Sequence, residues 1–133
     1  KGVWSADSTL TLSVSRQNTS MGSVMIDRNA GSIQVPLTTL DKLVAELKLE
    51  RVDYIKMDIE GAEREALKGA AQTLRRFKPR LMLDSYHLPD DPEVLPKVIA
   101  SMQLAYRLMC GACEPSDKDG ARWVPHVLYF FVR

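Results

Sequence analysis

Two short apolar runs, "VDYIKMDI" (52–59) and "RLMLDSY" (80–86), flank "GAEREALKGAAQTLRRF" (61–77), where Ala66, Ala70, Leu74 and Phe77 recur at helical spacing. The runs are short and rich in branched and aromatic residues, with no polar alternation, as expected of strands covered on both faces. Strand, helix and strand in that order predict a parallel sheet covered by helices. Gly69 and the alanines would let the helix lie close against the sheet, and Pro79 ends it.

The flanks add further elements. "TLTLSVS" (9–15) alternates Leu10, Leu12 and Val14 with Thr and Ser, the period of a half-buried strand. "SVMID" and "SIQVPL" repeat that pattern around the turn-forming "RNAG", so Ser23 to Leu37 reads as a hairpin. "TTLDKLVAELKLE" then changes period: Leu40, Leu43, Val44 and Leu47 share a helical face, with Thr38 or Thr39 as N-cap. After "HLPDDP" a second amphipathic helix carries Leu95, Val98, Ile99 and Met102. "YRLMCG" and "HVLYFFVR", separated by "PSDKDG", read as two last strands pairing antiparallel at one edge of the sheet. The expected fold class is α/β, a mostly parallel sheet with an antiparallel C-terminal hairpin. It forms one domain over 1–133, with a hairpin insertion at 9–37.

Bulk properties remove several function classes. With 133 residues the chain can build one core but hardly two. An apolar content of 45% with 26% charged residues is a globular mix. A net charge of +1 gives no electrostatic footprint for nucleic acid, and the basic cluster from Lys68 to Arg80 reads as a solvated helix face ending in cations. No stretch is long enough to span a bilayer, and no signal-peptide pattern opens the chain. Neither a nucleic-acid nor a membrane partner is expected, and the expected location is the cytoplasm.

The two cysteines, Cys110 and Cys113, form a C-x-x-C. A tetrahedral zinc would need four ligands, and only His87 and His126 remain to complete the set. The pair is expected in a loop, as two reduced and structurally incidental thiols.

The chemistry concentrates in "YIKMDIEGAE" (54–63). Ligands of open α/β sheets bind beyond the carboxyl ends of the strands, and Asp58 stands at that end of one strand, with Glu60, Gly61 and Glu63 in the turn that follows. Asp84 and His87 stand at the corresponding end of the other. Asp58, Glu60, Asp84 and His87 are therefore expected in one crevice. A histidine beside carboxylates is a candidate general base. Carboxylates there can also pair with a cationic ligand or hold a divalent ion. Glu63 and Glu65 have a plainer explanation, since acids in a first helical turn stabilise the macrodipole; Glu60 is placed to pair with Arg64.

From Val35 to His87 the chain closely resembles the FkbM family of S-adenosylmethionine-dependent methyltransferases. The family carries T-x-D-x-L, matched here by Thr39, Asp41 and Leu43, then I-K-(M/I)-D-(I/V)-E-G-A-E-x-x-(V/A)-L-x-G-A, matched by "IKMDIEGAEREALKGA", then a strand ending near a histidine. The resemblance implies a class I methyltransferase, Rossmann-like fold, with "YIKMDI" and "RLMLDSY" as its fourth and fifth strands. It implies S-adenosylmethionine as cofactor and a hydroxyl of a small molecule or sugar as acceptor. Asp58 would face the methyl donor, the stretch from Gly2 to Ser5, with Trp4, would lie near the adenine, and Asp58, Glu60 and His87 would be the catalytic group.

That family's fold uses a glycine-rich turn after its first strand, and the chain holds no G-x-G. The expectation is a C-terminal part of a methyltransferase domain, with impaired cofactor binding and an open sheet edge through which copies associate. Two further readings follow. One is a non-catalytic α/β module that self-associates through that edge. The other is a metal-assisted methyltransferase in which Asp58, Glu60, Asp84 and His87 bind magnesium.

Overall fold

A computed structural model describes residues 1–13, 32–115 and 123–132. In chain order the elements are β1 (Gly2–Val3), β2 (Ser8–Ser13), β3 (Ser32–Thr38), α1 (Leu40–Glu46), β4 (Tyr54–Met57), α2 (Glu63–Lys68), α3 (Ala71–Phe77), β5 (Arg80–Asp84), α4 (Asp91–Ser101), β6 (Arg107–Pro115) and β7 (Trp123–Phe131). They build a mixed α/β fold with two sheets, ordered β1-β3-β2 and β4-β5-β7-β6.

The expected parallel unit is present, for β4 and β5 pair parallel with Met57 opposite Leu83. The expected predominance of parallel pairing is not. β5 with β7, β6 with β7 and β2 with β3 are antiparallel, leaving β1 with β3 as the other parallel pair among the described residues. The C-terminal hairpin causes the difference, because β7 inserts beside β5 and β6 takes the edge. Of the 9–37 hairpin, the described arms are β2 and β3, in register from Ser8 opposite Leu37 to Ser13 opposite Ser32; "SVMID" and the "RNAG" turn lie outside the described residues.

The core lies between the larger sheet and the helices. Met57, Leu81, Leu83, Leu128 and Phe130 from the strands meet Ala66, Leu67, Ala70, Leu74, Leu95, Ile99 and Met102 from the helices. Each large side chain buried there contributes roughly 1.5–3 kcal/mol. Val3 packs against the same cluster and ties the small sheet to it.

The expected single helix over 61–77 is broken, and Asp41 is the cause. Its backbone N–H donates to Gly69 O at 3.0 Å. Its carboxylate accepts from Gln72 N at 2.9 Å and Thr73 N at 2.7 Å. In an unbroken helix Thr73 N would donate to Gly69 O, so Asp41 takes both halves of that bond and starts α3 afresh. Gly69 is needed at the break, since a Cβ there would run into the backbone carbonyl of Trp4. Thr39 caps α1 as expected, accepting from Lys42 N at 3.1 Å.

The cysteines do not lie in a loop. Cys110 and Cys113 are both exposed on β6, opposite Leu128 and Pro125 in the antiparallel ladder with β7. Three residues apart on a regular strand, they point to opposite faces of the sheet, so they neither bridge nor share a ligand.

Candidate active site

β4 ends at Met57, whose side chain is buried, and the next residue, Asp58, turns toward solvent with its side chain 41% exposed. The β4–β5 register pairs Met57 with Leu83, so Asp58 and Asp84 are the next residues along the two parallel chains. Between these carboxylates lies the Lys56 ammonium, 3.0 Å from Asp58 Oδ2 and 3.6 Å from Asp84 Oδ2. The Lys56 hydrogen bond, opposed by partial desolvation and helped by attraction to Lys56 and His87, holds the Asp58 carboxyl below the usual carboxylate range. Asp58 is thus a fixed anion and a weak proton acceptor.

The chain turns sharply after Asp58. Glu60 and Gly61 adopt φ of +57° and +92°; glycine takes that conformation freely, whereas Glu60 is strained in it. The turn brings Glu60 over the β5 end and delivers Glu63 as the first residue of α2. Glu63 is fully buried, and its Oε1 accepts from Ile59 N at 2.8 Å. This corrects the plain helix-dipole reading of Glu63. It is the inward support of the turn, reaching back over its own helix start.

His87 follows β5 in a loop fixed at both ends. Ser85 N donates to His126 O at 2.8 Å and Ser85 Oγ to Pro125 O at 2.7 Å. On the far side, buried Asp91 accepts from Leu88 N at 2.8 Å and from Arg64 Nε at 2.7 Å. Arg64 also holds Asp90 at 2.5 Å, so the expected Glu60–Arg64 pair gives way to a clamp between α2 and the start of α4. The His87 side chain, 7% exposed, places Nε2 at 3.5 Å from Asp58 Oδ1 and 3.8 Å from Glu60 Oε2, and Nδ1 at 3.1 Å from Glu63 Oε1. None of these is aligned as a hydrogen bond, and both ring nitrogens are buried without a partner. The Tyr86 ring lies tilted against its neighbours, its centroid 4.4 Å from that of His87 and 5.1 Å from that of His126. Desolvation first, then the Asp58, Asp84 and Glu60 charges, raise the Tyr86 phenol above its ordinary value.

The structure thus brings Asp58, Glu60 and His87 together, with donor atoms within 4.8 Å of one another. Asp84 stands beside them through Lys56 but outside that group. Gly2 is in the ladder opposite Leu37, and Trp4 N donates to Thr38 O at 2.8 Å. No hydrogen bond, ion pair or ring contact among the described residues joins either to the acidic corner. Sequence reasoning passed over Lys56, although a lysine two residues before Asp58 on a strand shares its face. The signal for Glu63 was an acid at a helix start, able to reach back to a free N–H.

The family can now be stated. The chain matches the methyltransferase FkbM domain over residues 1–108 and belongs to that family. A similar solved structure is the methyltransferase FkbM from Methylobacillus flagellatus KT, 28% identical, with a TM-score of 0.56 over 74% of this chain and 24% of that one. The chain therefore spans about a quarter of the length of that protein. No curated protein sequence matches it. None of the helices described here is long and apolar enough to cross a membrane.

Proposed function

We propose that the chain serves S-adenosylmethionine-dependent methyl transfer to a hydroxyl of a small molecule or sugar, on a Rossmann-like class I methyltransferase sheet. Family membership supports the transfer. The observation that carries the site is the convergence of Asp58, Glu60 and His87 beyond the carboxyl ends of the parallel pair β4–β5, where open α/β sheets take their ligands. The comparisons give no support to a non-catalytic module.

When bound, the donor would supply an electrophilic methyl group, which the acceptor's hydroxyl oxygen would take as the C–S bond gives its electron pair to sulfur. The chain's part is alignment, which contributes more to such a displacement than acid–base strength. Asp58, held ionised by Lys56, offers a carboxylate to the donor's cationic groups. The hydroxyl proton would pass to the half-exposed carboxylate of Glu60 in the same corner. The fit to the donor is partial, because the chain holds no G-x-G turn. Weak cofactor binding by this chain follows. The exposed thiols of Cys110 and Cys113 are consistent with a reducing, cytoplasmic location.

Titration calorimetry with S-adenosylmethionine and its demethylated product tests this reading. Weak binding that disappears in Asp58→Ala supports a donor subsite at the corner. Equal binding by Asp58→Ala, or none at any concentration reached, counts against it.

The outer side of β4 has no partner strand among the described residues, and an open edge invites pairing. Self-association through β4 is the partner expected for this chain. Sedimentation velocity should show mass rising with concentration, and a monomer throughout would remove the proposal.

A further inference from the structure

We infer that Asp58, Glu60 and His87 bind one divalent transition-metal ion. The donor atoms lie within 4.8 Å of one another. Two ligands of one ion at about 2.0–2.2 Å each stand roughly 3–4 Å apart. The separations from Nε2 to Asp58 Oδ1 and Glu60 Oε2, 3.5 Å and 3.8 Å, fall in that range and are too long for good hydrogen bonds.

The histidine provides the independent observation. Its ring is 7% exposed, its Nε2 is aimed at the two carboxylates, and that nitrogen has no hydrogen-bond partner. A buried polar atom in this state is costly unless something else meets it. Behind the ring, the fully buried Glu63 carboxylate stands 3.1 Å from Nδ1. A carboxylate near the second nitrogen is the usual companion of a metal-bound imidazole, and Glu63 stands within reach of that role although the pair is not aligned as a hydrogen bond here.

Two details shape the site. Lys56 engages Oδ2 of Asp58 and leaves Oδ1 turned toward His87. The strained Glu60 backbone, at φ +57°, brings its carboxylate over the same point, and strain of that kind gathers at functional corners. Asp84 is drawn to Lys56 instead, so the four-residue magnesium set is not the one that forms. One imidazole with two carboxylates suits Mn²⁺ or Zn²⁺ better than Mg²⁺, which favours oxygen donors and retains its water. The ion's part in catalysis, acidifying a bound acceptor hydroxyl, rests on the methyl-transfer reading; its binding does not.

Titrate the 133-residue chain with MnCl₂, following free Mn²⁺ by electron paramagnetic resonance and binding by calorimetry, and repeat with ZnCl₂ and MgCl₂. The expected result is one saturable ion per chain, with manganese or zinc preferred to magnesium. Binding should be lost in Asp58→Asn and His87→Ala, and weakened about 10–100-fold in Glu63→Gln. Circular dichroism checks folding, and Glu60→Gln, altering a half-exposed side chain, replaces His87→Ala if that variant fails to fold. No saturable binding, a preference for magnesium, or equal affinity in all variants overturns the inference. Absent metal binding with intact donor binding sinks this inference alone, and the reverse sinks only the methyl-transfer reading.

Discussion

Glu63 Oε1 lies 3.1 Å from His87 Nδ1, and both side chains are buried where the β4–α2 turn meets the loop after β5. Glu63 also accepts the Ile59 N–H, so one carboxylate supports the turn carrying Glu60 and the ring facing it. Glu63→Ala leaves that N–H unmatched, at an expected cost of about 1–3 kcal/mol. The check is a lower urea midpoint at unchanged slope. Glu63→Gln retains an oxygen for Ile59 and should recover most of the loss.

Glu60 tests whether strain is kept for chemistry. Glycine adopts the +57° backbone without penalty. Glu60→Gly should therefore leave stability unchanged or raise it by up to about 1 kcal/mol. Methyl transfer should fall at the same time. A clear loss of stability would mean that the Glu60 side chain supports the fold.

Gly69→Ala should be costly despite alanine's higher helix propensity. The added methyl meets the Trp4 carbonyl, which belongs to the main chain and cannot rotate away. Overpacking of this kind costs about 1–3 kcal/mol. Chemical denaturation measures it, and tryptophan fluorescence should report the displaced segment.

The Arg64 clamp has an acid-side signature. Arg64's hydrogen bond holds the Asp90 carboxyl below its ordinary value of 3.8. A carboxylate with a lowered folded pKa adds stability above its unfolded value, and that contribution is lost as pH falls through the folded one. Arg64→Met should be about 1–3 kcal/mol less stable at neutral pH, because buried Asp91 loses its Nε donor. The Asp90 part of that gap should close as pH drops below 3.8. A gap that does not narrow there would show that Asp90 adds nothing to it.

Much of this architecture was legible in local pattern. The parallel β4–β5 pair, the Thr39 cap, the apolar face of α4 and the meeting of Asp58, Glu60 and His87 follow from periodicity and from where strand ends fall. What escaped was decided by partners distant in sequence. An alanine-rich stretch reads as one helix until Asp41 enters its hydrogen-bond ladder. Glu63 looks like any acid at a helix start until His87 closes over it. The C-x-x-C reads as a loop before a proline, yet β6 is an edge strand and tolerates Pro115 at its end.

The Asp41 insertion also bears on how the fold assembles. α3 receives two of its first N–H partners from a carboxylate 31 and 32 positions upstream. The strand–helix–strand stretch that stands out in the sequence is therefore not autonomous. Excised as a peptide, its second half-helix would begin with bare donors and fray, and it would acquire a defined start only once the α1 segment had docked.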